Sequence, residues 1–177
     1  MNGPKVISVI RRSLTLAAMF VLPATCANAQ DQHPRSEVFV GGTYLAFGLN
    51  NDVLREHLGG FGVGVTGNFN RWSGAAFDYS VGFTTRGDQE HTYLAGPRFA
   101  ARREAYTCFA HLMVGASTAR NGFSETDPAV AAGGGIDINA GRLMAIRFQA
   151  DYLPIIGSGT LHNFRFMTGV VFRLGGN

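Results

Sequence analysis

The chain has little cysteine and, after its first residues, no lysine. Of its 2 cysteines, Cys26 lies in the N-terminal segment and Cys108 in the remainder, so the remainder cannot form an internal disulfide. The single lysine is Lys5, and every later basic residue is arginine. Arginine suits paired charges in confined, poorly hydrated places. The bias therefore indicates charges that are packed inside a structure.

The N-terminal segment has the layout of a secretory signal peptide. Three features follow one another there: the basic residues Lys5, Arg11 and Arg12, the apolar run 14–22, and the small-residue site Ala27-Asn28-Ala29. The apolar run is much shorter than the roughly 20 residues that a membrane-spanning helix needs. We therefore expect residues 1–29 to be a cleaved leader and residues 30–36 to be a periplasmic lead-in.

The charge balance changes once the leader is set aside. The whole chain has 15 Lys and Arg residues and 12 Asp and Glu residues, which gives a formal net charge of +3. Three of the basic residues and none of the acidic ones belong to the leader, so the remainder is formally neutral. A neutral chain lacks the basic surface that nucleic acids require. We therefore expect no nucleic-acid partner.

The clearest pattern is the alternation in the hairpin 129–153, above all in its second arm. The apolar residues of that arm share one face of a strand and the polar residues share the other: Met144, Ile146, Phe148, Ala150 and Tyr152 against Arg147, Gln149 and Asp151. Successive side chains of a strand point to opposite faces. Charges opposite an unbroken apolar row indicate a barrel that is apolar outside and polar inside.

Seven further segments also have the character of strands, and no segment after the leader indicates a helix. The predicted strands are residues 37–47, 60–69, 74–84, 92–102, 105–116, 129–139, 144–153 and 163–174. The first strand contains Gly41 and Gly42, which leave its inward face ambiguous. Pro97 removes a hydrogen bond from the ladder, and we expect a local bulge beside Gly96.

The connections between these strands alternate between long and short. The long ones are residues 48–59, 86–91, 117–128 and 154–162, and the short ones are residues 70–72, 103–104 and 140–142. Outer-membrane barrels have long outer loops, short periplasmic turns and an even number of strands, and closure satisfies the strand edges in hydrocarbon. We therefore expect an all-β, eight-stranded antiparallel up-and-down transmembrane barrel over residues 37–177, with both termini in the periplasm.

Five sequence blocks carry a family resemblance. They are GPRFAAR (96–102), FAHLMVGA (109–116), AAGGGIDI (131–138), AIRFQADYL (145–153) and NFRFMTGVVFRLG (163–175). Together they resemble the small outer-membrane β-barrel domain family, of the OmpA-like eight-stranded type. The resemblance implies insertion by the barrel-assembly machinery and no assigned biochemical activity. The aromatic residue that often ends such barrels is not the last residue here, because five residues follow Phe172.

The predicted inward faces carry a set of polar and charged side chains. They are Asp78, Arg98, Arg102, His111, Asp137, Asn139, Arg147, Gln149, Asp151, Arg165 and Arg173. An eight-stranded barrel is just wide enough for its own side chains to fill, and buried charges must be paired. We interpret the set as a polar network that plugs the lumen. The alternative is a path for ions or a ligand through a small pore.

A second alternative is a lipid-modifying outer-membrane enzyme, which would need a nucleophile and a base. Candidate residues lie in or near the predicted outer loops, but no spacing joins them into a triad: His91, Ser117, Glu125, Ser158 and His162. His111 has no second His or Cys at ligand spacing, and the glycine run 133–135 precedes a strand rather than a helix. We expect no catalytic site, no metal and no cofactor.

The competing fold is a soluble barrel of the lipocalin kind, with the apolar face turned inward around a ligand. Mid-strand Arg147 and Asp151 and the aromatic-rich apolar face argue against it. The sequence therefore predicts a non-enzymatic, monomeric outer-membrane barrel with a structural or surface-interaction role. Its expected surroundings are outer-membrane lipid and lipopolysaccharide.

Overall fold

Eight antiparallel strands join in sequence order into a closed barrel. The computed structural model describes residues 33–47, 57–84, 88–120, 124–157 and 159–175. The strands are β1 (Ser36–Phe47), β2 (His57–Asn68), β3 (Ser73–Phe83), β4 (Gln89–Arg102), β5 (Tyr106–Arg120), β6 (Ser124–Asn139), β7 (Met144–Ile156) and β8 (Thr160–Leu174). No helix of these residues is long and apolar enough to cross a membrane. The predicted leader, residues 1–29, lies outside the described ranges.

The barrel closes because β8 pairs with β1 along nearly its whole length. The pairing runs from Ser36 opposite Leu174 to Phe47 opposite Asn163. Closure leaves no strand edge unpaired, which is the condition for placing a sheet in hydrocarbon. The predicted number of strands and their up-and-down order are confirmed.

The alternation of each strand separates its side chains between the outside and the lumen. In β7, Ile146 and Phe148 are 46% and 49% exposed, whereas Arg147 and Asp151 are 5% and 1% exposed. Every other strand also carries large exposed apolar side chains. An apolar outer surface around a charged interior is the arrangement of a transmembrane barrel, and it is the reverse of a lipocalin.

Three of the predicted long loops are wrong, because the strands continue through them. Residues 89–91 belong to β4, and β5 and β6 stay paired from Ser117 opposite Asp127 to Arg120 opposite Ser124. β7 and β8 likewise stay paired as far as Ile156 opposite Thr160. Polar residues on both faces resemble a loop in the sequence, yet they are equally compatible with a strand that has left the membrane for water. Of the predicted loop 48–59, residues 48–56 lie outside the described ranges.

The predicted bulge beside Gly96 is also wrong. The β4–β5 ladder lacks pairs at Gly96 and Pro97, but it resumes at Arg98 opposite His111 in the register that it had at Ala95 opposite Val114. Proline has no N–H to donate, so the ladder loses bonds locally without gaining an extra residue. On the other side, Pro97 still pairs with Ala75 of β3.

The lumen is less polar than the sequence indicated. A buried apolar cluster, here called the apolar layer, occupies the end of the lumen away from the short turns. It consists of Leu45, Leu58, Leu94, Met113, Ala129, Ala131, Leu153 and Ile155. The interior therefore has a charged part nearer the short turns and an apolar layer beyond it, with the buried pair Glu90 and Ser117 still farther from those turns.

The exposed apolar surface predicts a depth-dependent penalty for a charge. Leu112 is 55% exposed and lies midway along β5 between Tyr106 and Thr118, whereas Leu143 is 69% exposed in a short turn. We expect Leu112→Arg to lower the free energy of unfolding by about 2–4 kcal/mol and Leu143→Arg by about 0–1 kcal/mol, since the cost of a lipid-facing Arg falls toward the interface. Urea unfolding in phospholipid vesicles measures both free energies. Equal effects would contradict a lipid-facing position for Leu112 at the middle of the membrane.

Candidate functional site in the barrel lumen

The first charged group in the lumen, here called the Glu37 cluster, joins two carboxylates to three arginines. Glu37 accepts hydrogen bonds from Arg98 Nη1 at 2.6 Å, Arg102 Nη2 at 2.8 Å and Arg147 Nη2 at 3.4 Å. Asp137 accepts from Arg147 Nε at 2.7 Å and from Arg98 Nη2 at 3.2 Å. Asp137 and Arg147 are direct cross-strand partners of β6 and β7, so the register itself brings this pair together.

Two aromatic rings help these arginines to lie close together. The guanidinium carbons of Arg98 and Arg147 lie 4.3 Å and 4.5 Å from the centroid of the Phe109 ring. Arg147 also lies 5.3 Å from the centroid of Phe39. The negative face of an aromatic ring attracts a cation. Phe109 therefore offsets part of the repulsion between two like charges that point into one narrow space.

The second charged group, here called the Asp151 cluster, is centred on one carboxylate. Asp151 accepts from Arg165 Nη2 at 2.7 Å, from Gln149 Nε2 at 2.9 Å and from His111 Nε2 at 2.8 Å. Arg165, which is 1% exposed, also donates from Nη1 to Asp78 at 2.6 Å. Asp151 and Arg165 are direct partners in the β7–β8 register.

Both clusters are closely packed. A cavity between them has a volume of only about 10 Å³ and is lined by residues that include Arg98, His111 and Gln149. A volume of about 10–15 Å³ is the least that holds one water molecule. The apolar layer lies next in the lumen, toward the end away from the short turns. In the described part of the lumen, the charged groups therefore face one another rather than an open path.

The structure brings together most of the residues that the sequence singled out. Asp78, Arg98, His111, Asp137, Arg147, Gln149, Asp151 and Arg165 are all buried in the two clusters. Arg102 joins the Glu37 cluster from a more exposed position, with 15% of its side chain accessible. Arg173 and Asn139 lie at the short-turn end, where Arg173 Nη2 donates to Asn139 Oδ1 at 2.8 Å.

Sequence reasoning missed Glu37, the acceptor shared by three arginines. Gly41 and Gly42 hid the inward face of β1, so its only acidic residue was not assigned to the lumen. The charge count of the predicted lumen was the signal that a carboxylate was missing, because that lumen contains five arginines and three aspartates. Buried charges must be compensated, so further carboxylates had to point inward. Glu37 is the one that pairs with the arginines. Glu90 also points into the lumen, but there its Oε1 accepts a hydrogen bond from Ser117 Oγ at 2.7 Å.

The residues considered for an enzyme do not meet in a catalytic geometry within the described ranges. Ser117 Oγ donates to Glu90 inside the barrel, whereas the His91 ring lies against Tyr79 on the outer face. Ser158 lies outside the described residues. A nucleophile and its base must lie within hydrogen-bonding reach, and the barrel wall separates Ser117 from the imidazole of His91. In the same ranges no group of three or more His, Cys, Asp or Glu side chains is placed to hold a metal ion.

Removing one arginine from the Glu37 cluster tests whether the pairing stabilises the barrel. We expect Arg147→Met to lower the free energy of unfolding by about 3–5 kcal/mol, because the fully buried Asp137 loses its two hydrogen bonds from Arg147 and keeps only the longer one from Arg98. The matched control is Arg173→Met, since Arg173 is partly exposed and donates to the uncharged partners Thr107 and Asn139. Urea unfolding in detergent micelles compares the two, and equal stability of both variants would contradict the paired network.

Comparison with known proteins adds the fold class. No known protein-family profile matches the chain, and a search of curated protein sequences gives no significant match. Solved structures do match. Ail, the attachment invasion locus protein of Yersinia pestis, is 17% identical over 80% of this chain and 99% of its own, with a TM-score of 0.58. Neisserial surface protein A is 8% identical over 78% and 97% of the two chains, with a TM-score of 0.66.

A third match is the outer membrane protein OprG from Pseudomonas aeruginosa. It is 9% identical over 81% of this chain and 97% of its own, with a TM-score of 0.63. These identities are low, so the likeness concerns the backbone arrangement rather than any shared site. Each matched chain is covered almost completely by this chain. The fold of this chain is that of the small eight-stranded outer-membrane barrels.

Proposed function

We propose that this chain is an integral, non-enzymatic barrel of the bacterial outer membrane with a closed lumen and a structural or surface-interaction role. The observation that carries the proposal is the inverted distribution of polarity, with exposed Ile146 and Phe148 outside and buried Arg147 and Asp151 inside. Bacterial outer membranes are where single-chain barrels of this kind occur. Insertion by the barrel-assembly machinery and a monomeric state belong to the same proposal.

The closed lumen argues for a surface role rather than for transport. The Glu37 and Asp151 clusters fill the charged part of the lumen, and the apolar layer adds a second barrier that repels water and ions. Eight strands give a lumen that side chains alone can fill. A solute would have to break several buried ion pairs to pass. What remains available to partners is the outer surface and the ends of the hairpins.

The strand ends also support an orientation for the barrel. At one end the strands join through the short turns 69–72, 103–105 and 140–143, and at the other the hairpins β5–β6 and β7–β8 extend as paired strands. Short turns face the periplasm in barrels of this class. The end with the extended hairpins, here called the hairpin end, then faces the outside of the cell, and both chain termini face the periplasm. Two structural neighbours are an attachment invasion protein and a surface protein, and this supports a surface-interaction role for the outward-facing end.

Surface labelling tests this orientation. We expect Glu125→Cys, on β6 near the hairpin tip, to react in intact cells with a membrane-impermeant maleimide, and Arg142→Cys, in a short turn, to react only after the outer membrane is permeabilised. Both variants carry Cys108→Ala, because Cys108 is an exposed free thiol. Recovery of the protein in the soluble periplasmic fraction, or labelling of Arg142→Cys alone in intact cells, would contradict the proposal.

Conductance tests the closed lumen. We expect the purified barrel in planar bilayers to give no steady channel openings, because paired side chains and the apolar layer occupy the lumen. The double variant Leu94→Ala with Met113→Ala removes bulk from the apolar layer. Its heat-dependent gel mobility shows whether it still folds and inserts as a barrel. Stable conductance steps from the native protein would overturn the closed-lumen proposal and favour the small pore.

A further inference from the structure

The outer surface of the barrel carries an apolar groove across β6, β7, β8 and β1. Its volume is about 540 Å³. Small residues form its floor, since Gly134 and Ala150 are partners in one row of the sheet and Gly42 and Thr168 are partners in the next row. The larger rings of Phe148 and Phe166 rise beside them. The groove therefore arises where two small cross-strand pairs lie diagonally between bulky neighbours.

Three Tyr–His pairs lie on the outer face in the same geometry. Each pair joins a Tyr on an odd-numbered strand to a His on the following strand. The His lies two residues nearer the hairpin end than the residue that pairs directly with the Tyr. The pairs are Tyr44–His57, Tyr79–His91 and Tyr152–His162, and all three are stacked and joined by a hydrogen bond to Nδ1. This repetition on three hairpins places a stacked Tyr and His at a similar height on the barrel wall, and exposed apolar side chains such as Phe83 and Ile156 lie still nearer the hairpin end.

The hydrogen bonds of the Tyr79–His91 pair show which imidazole nitrogen donates and which accepts. His91 Nε2 donates to Gln89 Oε1 at 3.3 Å, so its Nδ1 accepts from the Tyr79 hydroxyl at 2.9 Å. A neutral imidazole has one donor and one acceptor, and the Tyr contact therefore leaves the Nε2–H as the donor. In His57 and His162 the same nitrogen has no hydrogen-bond partner within the described residues.

Two of the three pairs flank the hairpin end of the groove. Tyr44 lines the groove, and Tyr152 is the next outward-facing residue of β7 after Ala150, which forms part of the floor. His57 and His162 lie on β2 and β8, with β1 between them. Neighbouring strands are about 4.8 Å apart, so the two imidazoles are separated by roughly 10 Å across the sheet. The Tyr79–His91 pair lies on β3 and β4, away from the groove.

We propose that the groove and these two pairs bind one phosphorylated lipid of the outer leaflet, the lipid A portion of lipopolysaccharide. An acyl chain occupies the groove, and the phosphates accept hydrogen bonds from Nε2 of His57 and His162. The inference rests on the proposed function, because it takes the hairpin end to be the outer end. The groove lies within the apolar belt, where the surroundings are hydrocarbon, and its walls offer an acyl chain almost no polar group to desolvate. The imidazoles supply the donors that phosphate oxygens require.

Filling the groove tests the acyl-chain part of the proposal. The experiment titrates bisphosphorylated lipid A into the delipidated, folded protein in detergent micelles and measures bound lipid by native mass spectrometry. We expect Ala150→Phe to weaken binding at least about tenfold, the loss of roughly 1.4 kcal/mol. The matched control is Ala95→Phe, at an exposed outward position on β4, which we expect to leave binding unchanged. Equal binding by both variants would overturn the proposal.

Removing the imidazole nitrogens tests the phosphate part. We expect the double variant His57→Phe with His162→Phe to weaken binding of bisphosphorylated lipid A several-fold and to leave binding of dephosphorylated lipid A unchanged. Phenylalanine keeps a ring against each Tyr but cannot donate a hydrogen bond. The control is His91→Phe, since that pair has the same geometry away from the groove. An equal effect of the control, or an equal loss for both lipids, would overturn the role of the imidazoles.

Other occupants and the failure of the proposed function give distinguishable results. Equal binding of phosphatidylethanolamine would show a groove without headgroup selection, and a dimer mass that Ala150→Phe abolishes would assign the groove to a second copy of the chain. Either result overturns the lipid A proposal while the barrel keeps its heat-dependent mobility. An inverted labelling pattern in intact cells would instead refute the orientation, whatever the lipid binding in micelles.

Discussion

The pairing of every strand edge in a closed ladder is the constraint on which the rest of this structure depends. Hydrocarbon offers no partner for a free N–H or C=O group, so the sheet must close on itself. Once it has closed, the period of two along each strand assigns every side chain either to the outer surface or to the lumen. The interruption at Pro97 shows how strict the register is, because the β4–β5 ladder resumes beyond it without a shift.

The charged lumen adds cross-links that the ladder alone does not provide. Asp137–Arg147 and Asp151–Arg165 join neighbouring strands, whereas Arg98–Glu37 joins β4 to β1 and Arg165–Asp78 joins β8 to β3. The second kind of pair spans the interior of the barrel. Breaking such a pair leaves a buried charge without compensation, which is far more costly than losing a surface ion pair. The interior thereby resists any flattening of the barrel wall.

Much of the fold was predictable because alternation is a local signal. Eight strands, their order and the side of the wall that Arg147 and Asp151 face all follow from the period of two. The ends of the strands were not predictable. Thr118 and Glu125 have the polarity of loop residues, and yet both lie in the paired part of β5 and β6. The polar set of the lumen was recognised, but its partners depend on distances between strands far apart in sequence. Glu37 and Arg98 are separated by 61 positions, and no sequence spacing encodes their contact.

The long hairpins of the barrel have a consequence for any partner that meets them. β6 has 16 residues, which at about 3.3 Å per residue and a tilt of about 40° rise roughly 40 Å, against an apolar band about 25 Å tall. The paired wall therefore continues beyond the apolar band. Flexible loops lose conformational entropy when a partner binds, whereas the paired strands beyond the apolar band have already lost it on folding. A partner that met the paired strands there would therefore meet a surface whose shape folding had already set.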